Sequence, residues 1–427
     1  MQDCVTYDRL QLDRRLPSKY RSLAHDTRAI GNELHVASLL DGTVERRDDQ
    51  LWLRVKLLRV KDGALLWSDV YHGAFADILT LQDEIAERAA RALALKVNSA
   101  EHRSMHRHYT SSSDAYQHYI AGRYYCSGAA NERFLEKGIL FFEQATAKDP
   151  QFALAYASLA ACYVQLTSAT EQPSALEFLP KAELAAQRAL EIDGNAEEAY
   201  LPLAIARAYC NWDYPGAEAA FRRSIDLAPD SSEAHVAYAG FLTSQGRFQE
   251  AEREAHKAAE LDPFSWNANT VINDVYFFGR RYGEAAEGFE KSRVVDLDSA
   301  GWYLAWIYAS RGRPIPIIQE LVKARAAASR KAIFTAELAY AYALQGMDSL
   351  AESYVQQLSQ YPESIDDYLT SLVYVAIGDT DRAFQFLARA REKRSWRILD
   401  LKVDPRLDSL RSDSRFGELL RSVRLSP

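Results

Sequence analysis

Residues 230–263 read DSSEAHVAYAGFLTSQGRFQEAEREAHKAAELDP. Two short amphipathic helices meet at Gly246-Arg247, and the second stops at Asp262-Pro263, where proline's missing N–H and fixed φ end a helix. The preceding element also closes on a proline, Pro229, so the unit is 34 residues long. The same interval separates Ala217, Ala251 and Ala285, sets Ala255 midway between Phe221 and Phe289, and recurs from Gly312 to Gly346 and from Tyr308 to Tyr342. A fixed period of this size, with small residues where two helices must approach closely, is the pattern of a helical solenoid.

Working outward, the period predicts about eight helix pairs over 114–396. The first unit has Phe142 and Ala145 ahead of Asp149-Pro150. The second runs 44 residues to Asp193-Gly194, its surplus being the loop TSATEQPSALE, and the third runs 35 residues to Ala228-Pro229. A fifth ends near Asp298. The sixth to eighth continue to about Lys393, marked by Gly312, Gly346 and Gly378 at the turns and by Tyr308, Tyr342 and Tyr374 on the first helices. These residues resemble the tetratricopeptide (TPR) repeat family, which implies a mainly α, right-handed solenoid. The closing stretch, 397–427, breaks the period and predicts a loop and an amphipathic helix with Phe416, Leu419, Leu420 and Val423 on one side. Covering the last repeat is its expected job. Its form, DPxLDxLRxDxRF, resembles the ends of related bacterial TPR proteins.

Upstream, the apolar period changes. No element is predicted for 1–25. A short helix is expected from Asp26, then a strand in LHVASLLDGTVERR. In LWLRVKLLRV, Leu51, Leu53, Val55 and Leu57 alternate with Trp52, Arg54 and Lys56, which reads as a half-buried antiparallel strand. Lys61-Asp62-Gly63 marks a hairpin before the strand ALLWSDVY, and a helix from Asp77 to about Val97 carries Ile78, Leu81, Ile85, Ala89 and Leu93 on one side. Residues 26–98 are therefore expected to form a small α+β domain with a three-stranded antiparallel sheet, followed by a linker at 99–113. IGNELHVASLLDGTV, the Leu-Trp-Ser after the hairpin and ILTLQDEIAERAARAL resemble the TolB N-terminal-like domain. With TPR repeats, this combination is similar to the C-terminal module of winged-helix, adenylyl cyclase or Ser/Thr kinase regulators. Family members carry an opening strand and helix that 25 residues cannot supply together, so a truncated or degenerate start is expected, with no output domain in this chain.

Composition narrows the function. The chain is 26% charged and 48% hydrophobic, as ordinary globular proteins are. Net charge is −8, but residues 1–113 carry 17 basic and 16 acidic side chains, 114–388 carry 23 and 37, and 389–427 carry 11 and 6. An acidic body argues against a nucleic-acid groove. The basic residues Arg389, Arg391, Lys393, Arg394 and Arg397 are better explained as the complement of the acidic repeats. The N-terminus is charged where a signal peptide is apolar, and no apolar run is long enough to span a bilayer, so a cytoplasmic location with no membrane contact is expected. Cys4, Cys126, Cys162 and Cys210 lack metal-site spacing and suggest neither a zinc site nor a disulfide framework; the last three are expected as buried small apolar residues.

No GxSxG, GxxxxGK[ST], GxGxxG or HExxH is present, so no enzyme and no cofactor are implied. Glu101, His102, His106 and His108 have metal-like spacing on a helix but sit in an arginine-rich stretch and read as solvated linker. What the TPR pattern does imply is a groove lined by first-helix residues, here Asp274, Phe277, Phe278, Trp302, Trp306, Tyr340, Tyr368 and Leu372. Aromatic rings on a concave face suit a peptide or helix ligand, unless the rings pack on the next repeat or the C-terminal segment folds among them. The expected function is a non-enzymatic scaffold that binds a peptide or partner protein, in bacterial signalling or regulation, with homo-oligomerisation through the α+β domain as a further expectation. The alternative is the regulatory half of a transcription factor, cyclase or kinase.

Overall fold

The computed structural model describes residues 2–8, 11–13, 31, 36–47, 50–74, 78–93, 110–126, 132–169, 175–263, 265–292, 297–312, 318–327, 331–358 and 366–426. They fall into two compact units, 1–118 with 147–150, and 119–146 with 151–427.

The first unit holds β1 (Gln2–Asp8), β2 (Gln11–Asp13), β3 (Ser38–Arg47), β4 (Gln50–Arg59), β5 (Leu65–Ala74) and helix α1 (Ile78–Ala92). All neighbours are antiparallel, in the order β2-β1-β3-β4-β5. The three expected strands are β3, β4 and β5. The sheet then continues through β1 and β2, inside the stretch where the sequence predicts no element. Val5 and Tyr7 among Asp3, Thr6 and Asp8 make too short an alternation to announce a strand; the pairing from Gln2↔Thr43 to Tyr7↔Ser38 supplies what local pattern does not. The hairpin between β4 and β5 forms as expected, with Gly63 at φ 70° and the Arg59 N–H donating to Ala64 O at 2.9 Å. Leu40, Val55, Leu57 and Tyr71 form the core, with Leu53, Leu66 and Trp67 of the sheet and Ile85 and Leu93 packed on it, while Arg54 and Lys56 stay exposed. The helix expected from Asp26, the cap at Asp77, the side chains of Ile78 and Leu81, and the cluster Glu101, His102, His106 and His108 lie outside the described residues. Among the described residues no group of ligands could hold a metal ion, and no helix is long and apolar enough to cross a membrane.

Among the described residues the helical region shows eight pairs. The first four are α2 (Ser113–Cys126) with α3 (Glu132–Lys148), α4 (Ala153–Ala169) with α5 (Ala175–Ile192), α6 (Glu197–Ala206) with α7 (Tyr214–Leu227), and α8 (Ser232–Ser244) with α9 (Phe248–Leu261). The others are α10 (Trp266–Phe278) with α11 (Tyr282–Ser292), α12 (Leu297–Ser310) with α13 (Ile318–Ala327), α14 (Lys331–Leu344) with α15 (Asp348–Leu358), and α16 (Asp367–Ile377) with α17 (Thr380–Glu392). Local chemistry sets the boundaries. Ser231, Ser265 and Asp366 accept a backbone N–H as N-caps of α8, α10 and α16, and Gly246, Gly312, Gly346 and Gly378 take the left-handed turn conformation between helices of a pair. The extra residue of the third unit is accommodated by a π turn, Arg207–Asn211, which closes on Trp212 at φ 53°. Ala217, Ala251 and Ala285 are fully buried, as close helix approach requires.

One expectation is corrected. Cys126 and Cys162 are joined in a disulfide between α2 and α4, with Cα atoms 5.9 Å apart, leaving Cys210 as a buried free thiol. Close packing of α2 on α3 accompanies it, since a Cβ on Gly138 would sit 2.3 Å from the Cys126 sulfur. A spacing of 36 residues carries no pairing signal in a sequence; it is the fold that brings the two sulfurs together.

After α17 come two 3-10 segments, Trp396–Lys402 and Pro405–Leu410, and helix α18 (Ser414–Ser422). This closing stretch reaches well beyond the last pair. It packs on α8, α16 and α17, donates Arg415 to Asp381 at 2.8 Å, and accepts the Tyr214 hydroxyl at Val423 O at 2.8 Å.

Candidate ligand groove

The candidate groove residues lie on the first helices of the last four pairs. Asp274, Phe277 and Phe278 come from α10, Trp302 and Trp306 from α12, Tyr340 from α14, and Tyr368 and Leu372 from α16. Phe277 stacks edge-on to Trp306 with centroids 5.6 Å apart, and Trp302 lies against Tyr340 at 5.1 Å. Tyr303, which sequence reasoning omits, completes the row 4.6 Å from Phe277. Its omission follows from helix register: it neighbours Trp302, and a one-residue shift in assignment moves a side chain by about 100° around a helix.

These residues surround part of the same chain. Phe277, Tyr340, Tyr368 and Leu372 are fully buried, while Asp274 and Trp306 are half-buried. The Arg406 guanidinium lies over the rings of Tyr303 and Phe277, at 5.1 and 5.5 Å. It grips Asp404 through two nearly parallel hydrogen bonds, Nε to Oδ1 at 2.9 Å and Nη2 to Oδ2 at 2.7 Å. Tyr368 donates its hydroxyl to Asp404 Oδ2 at 2.8 Å, and the Arg406 backbone N–H reaches Oδ1 at 2.9 Å. Asp404 and Arg406 are both almost entirely removed from solvent. Around them Ile398, Leu399, Leu401, Val403, Leu407 and Leu410 are buried too.

Magnitudes separate the roles. Six aliphatic side chains at about 1.5–3 kcal/mol each put the apolar contribution on the order of 10 kcal/mol, an upper estimate because the unfolded chain is already partly compact. A buried ion pair contributes little net stability, although losing one partner costs about 3–5 kcal/mol. Apolar burial holds the segment; Asp404, Arg406 and Tyr368 set its register.

Ion pairs frame the site. Asp366, the cap of α16, accepts from Arg397 Nε at 3.1 Å and from Ser395 Oγ at 3.2 Å. Asp367, one residue on, is buried between Arg389 at 3.0 Å and Lys393 at 2.8 Å. Arg280 holds Asp408 through two contacts of 2.7 and 2.9 Å. Of the basic residues at the end of the repeats, Arg389, Lys393 and Arg397 thus pair with repeat acids, while Arg394 lies over the Trp212 ring. Two carboxyls are shifted upward: burial lifts Asp274 to about 6, and burial followed by the Asp404 charge lifts Asp400 to about 8. Burial also raises Tyr303, Tyr340 and Tyr368, which stay neutral phenols.

Residues 213–268 match the tetratricopeptide repeat family model. The helix pairs form a repeat solenoid, of which this stretch is the part that matches the tetratricopeptide repeat model. Among curated proteins the chain is similar to Putative adenylate cyclase 3 of Rhizobium meliloti (strain 1021), 27% identical over 198 residues, covering 44% of this chain and 32% of that protein. It is also similar to Superkiller protein 3 of Schizosaccharomyces pombe (strain 972 / ATCC 24843), 26% identical over 212 residues, covering 47% and 14%. The matches span less than a third of either relative's length. Solved structures that resemble the repeat solenoid include a tetratricopeptide repeat protein from Parabacteroides merdae ATCC 43184, with TM-score 0.35, 13% identity, and coverage of 72% of this chain and 99% of that one. Another is Pseudomonas aeruginosa pilF, with TM-score 0.33, 18% identity, and coverage of 63% and 97%.

Proposed function

We propose that the chain is a non-enzymatic protein-interaction scaffold in bacterial signalling or regulation, and that the groove formed by Asp274, Phe277, Phe278, Trp302, Trp306, Tyr340, Tyr368 and Leu372 is its peptide-binding surface. The observation that carries this reading is the occupant: a stretch without α-helix, Trp396–Leu410, lies among these residues with an Asp-Pro-Arg-Leu centre at 404–407. A partner segment of the same chemistry, an Asp-Pro-Arg core flanked by aliphatic residues, competes for the same place. Generic peptides do not, because they lack the apolar burial that holds the native segment.

The test is exchange. A protease site introduced between Lys393 and Arg394 is cleaved, and a labelled peptide of residues 395–427 is added. The expected result is saturable uptake with release of the native segment, weakened at least tenfold by Trp302→Ala with Trp306→Ala. Uptake only after global unfolding would sink the reading, because the segment would then be core and the groove no site.

The partial match to Putative adenylate cyclase 3 favours a second reading, in which the chain is the regulatory half of a cyclase, kinase or transcription factor. Genomic sequence upstream is the check: an in-frame output domain supports it, and stop codons in frame count against it.

A further inference from the structure

From Thr380 to Asp404 the sequence contains neither glycine nor proline. No glycine or proline stops α17 at Glu392, and a helix continued through Lys393–Ser395 is compatible with those three side chains. The chain nevertheless reverses at Lys393–Ser395. The Ser395 N–H donates to Ala390 O at 2.9 Å, and Arg394 takes the left-handed conformation at φ 55°. Turns within pairs give that conformation to glycine at Gly246, Gly312, Gly346 and Gly378, and to Trp212 and Arg280 at two others. Here an arginine carries it, its guanidinium 3.4 Å from the centre of the Trp212 ring. Arginine in this conformation disfavours the turn by roughly five- to thirtyfold. The Trp212 stack offsets part of that factor.

We propose that Lys393–Ser395 is the hinge of a segment exchange between two copies of this chain. In the exchanged form α17 runs on as a helix, carries Trp396–Leu410 out of its own groove, and delivers it to the groove of a second copy. The inference rests on the groove reading above and names the partner. A second copy is the one partner that reproduces every contact of the segment, including the Asp404–Arg406 pair and the six buried aliphatic residues. The contacts of Trp396–Leu410 are identical in the closed and exchanged forms, so they cancel, while the hinge gives up the Lys393–Asp367 and Arg394–Trp212 contacts. The remaining difference is the tether, which gives the native segment an effective concentration on the order of millimolar, set against two relaxed hinges. Exchange becomes appreciable between about 1 mM and tens of micromolar chain.

The exposed bidentate pair Arg280–Asp408, between the groove rim and the segment, supplies a signature that no other dimer shares. Arg280→Asp and Asp408→Arg each place like charges together. When the two variants exchange segments, both rims regain opposite charges.

The experiment is sedimentation equilibrium from 1 to 500 µM, on native protein and on protein refolded from partly denaturing urea, with Arg394→Gly and an equimolar mixture of the two charge variants beside it (concentrations chosen to bracket the roughly micromolar-to-millimolar range above). The expected result has three parts: a dimer, a shift of dimerisation to at least about fivefold higher concentration in Arg394→Gly, and more heterodimer than homodimer in the mixture. A monomer under all conditions overturns the proposal. So does a dimer that ignores Arg394→Gly and shows no heterodimer preference. If the cleaved chain takes up peptide while the intact chain stays monomeric, the groove reading stands and the second copy is excluded; if neither occurs, both fall.

Discussion

Replacing Asp400 by asparagine isolates a proton that the folded chain holds at neutral pH. The Asp400 carboxyl is buried and faces Asp404 and Asp274 as acids and Arg397 and Arg406 as bases, and its pKa is raised from 3.8 to about 8. Since the folded-state value lies above the unfolded one, the folded chain keeps a proton that the unfolded chain releases. The stability contributed by this group is therefore complete below the unfolded pKa and is lost as pH rises from about 4 to about 8. At about 1.36 kcal/mol per pKa unit, the whole span is on the order of 5 kcal/mol. Asparagine keeps the shape without the charge. Urea unfolding is expected to find Asp400→Asn the more stable by about 1.5 kcal/mol at pH 5 and by about 5 kcal/mol at pH 8.5. Asp274, raised to about 6, titrates in both proteins and leaves a residual slope at lower pH. Parallel stability profiles from pH 5 to 8.5 would refute the reasoning, because Asp400 would then be charged in the folded state or hydrated.

Arg406→Met leaves Asp404 buried without its counter-ion and is expected to cost about 3–5 kcal/mol in thermal unfolding, while adding Asp404→Leu recovers most of the loss. Gly301→Ala is expected to cost about 1–3 kcal/mol by denaturant titration, since the new Cβ would lie 1.5 Å from Glu337 Oε1. Reducing the Cys126–Cys162 bond, which closes a separation of 36 residues, is expected to remove about 3–4 kcal/mol on the chain-entropy account; an unchanged melting temperature after reductant would contradict it.

The solenoid was legible because each unit repeats the same signals: buried alanines every 34 residues, a glycine at the turn, and a proline or capping residue between units. Signals that occur once were harder. β1 has weak local preference and exists through its pairing with β3, a non-local fact. Helix register proposes a set of first-helix residues, but it does not connect Asp404 and Arg406 to them. Their pairing with Tyr368 bridges 36 residues of sequence and depends on a segment with no helical period. Asp400 looks like any surface aspartate in RILDLKVD; burial and the neighbouring Asp404 charge give it a different chemistry. His235 is buried with Nδ1 2.6 Å from Glu254, a contact invisible to a pattern of apolar positions.

Open repeat solenoids behave mechanically as springs, because each unit touches only its neighbours and small rotations accumulate along the stack. The closing stretch changes that elasticity here. Tyr214 bonds to Val423 across 209 positions of sequence, and Arg280 to Asp408 across 128, so stretching or untwisting the stack between α7 and α17 must shear contacts far apart in the chain. The repeats spanned in this way act as a stiff plate, while α2 to α5 keep the compliance of an ordinary stack.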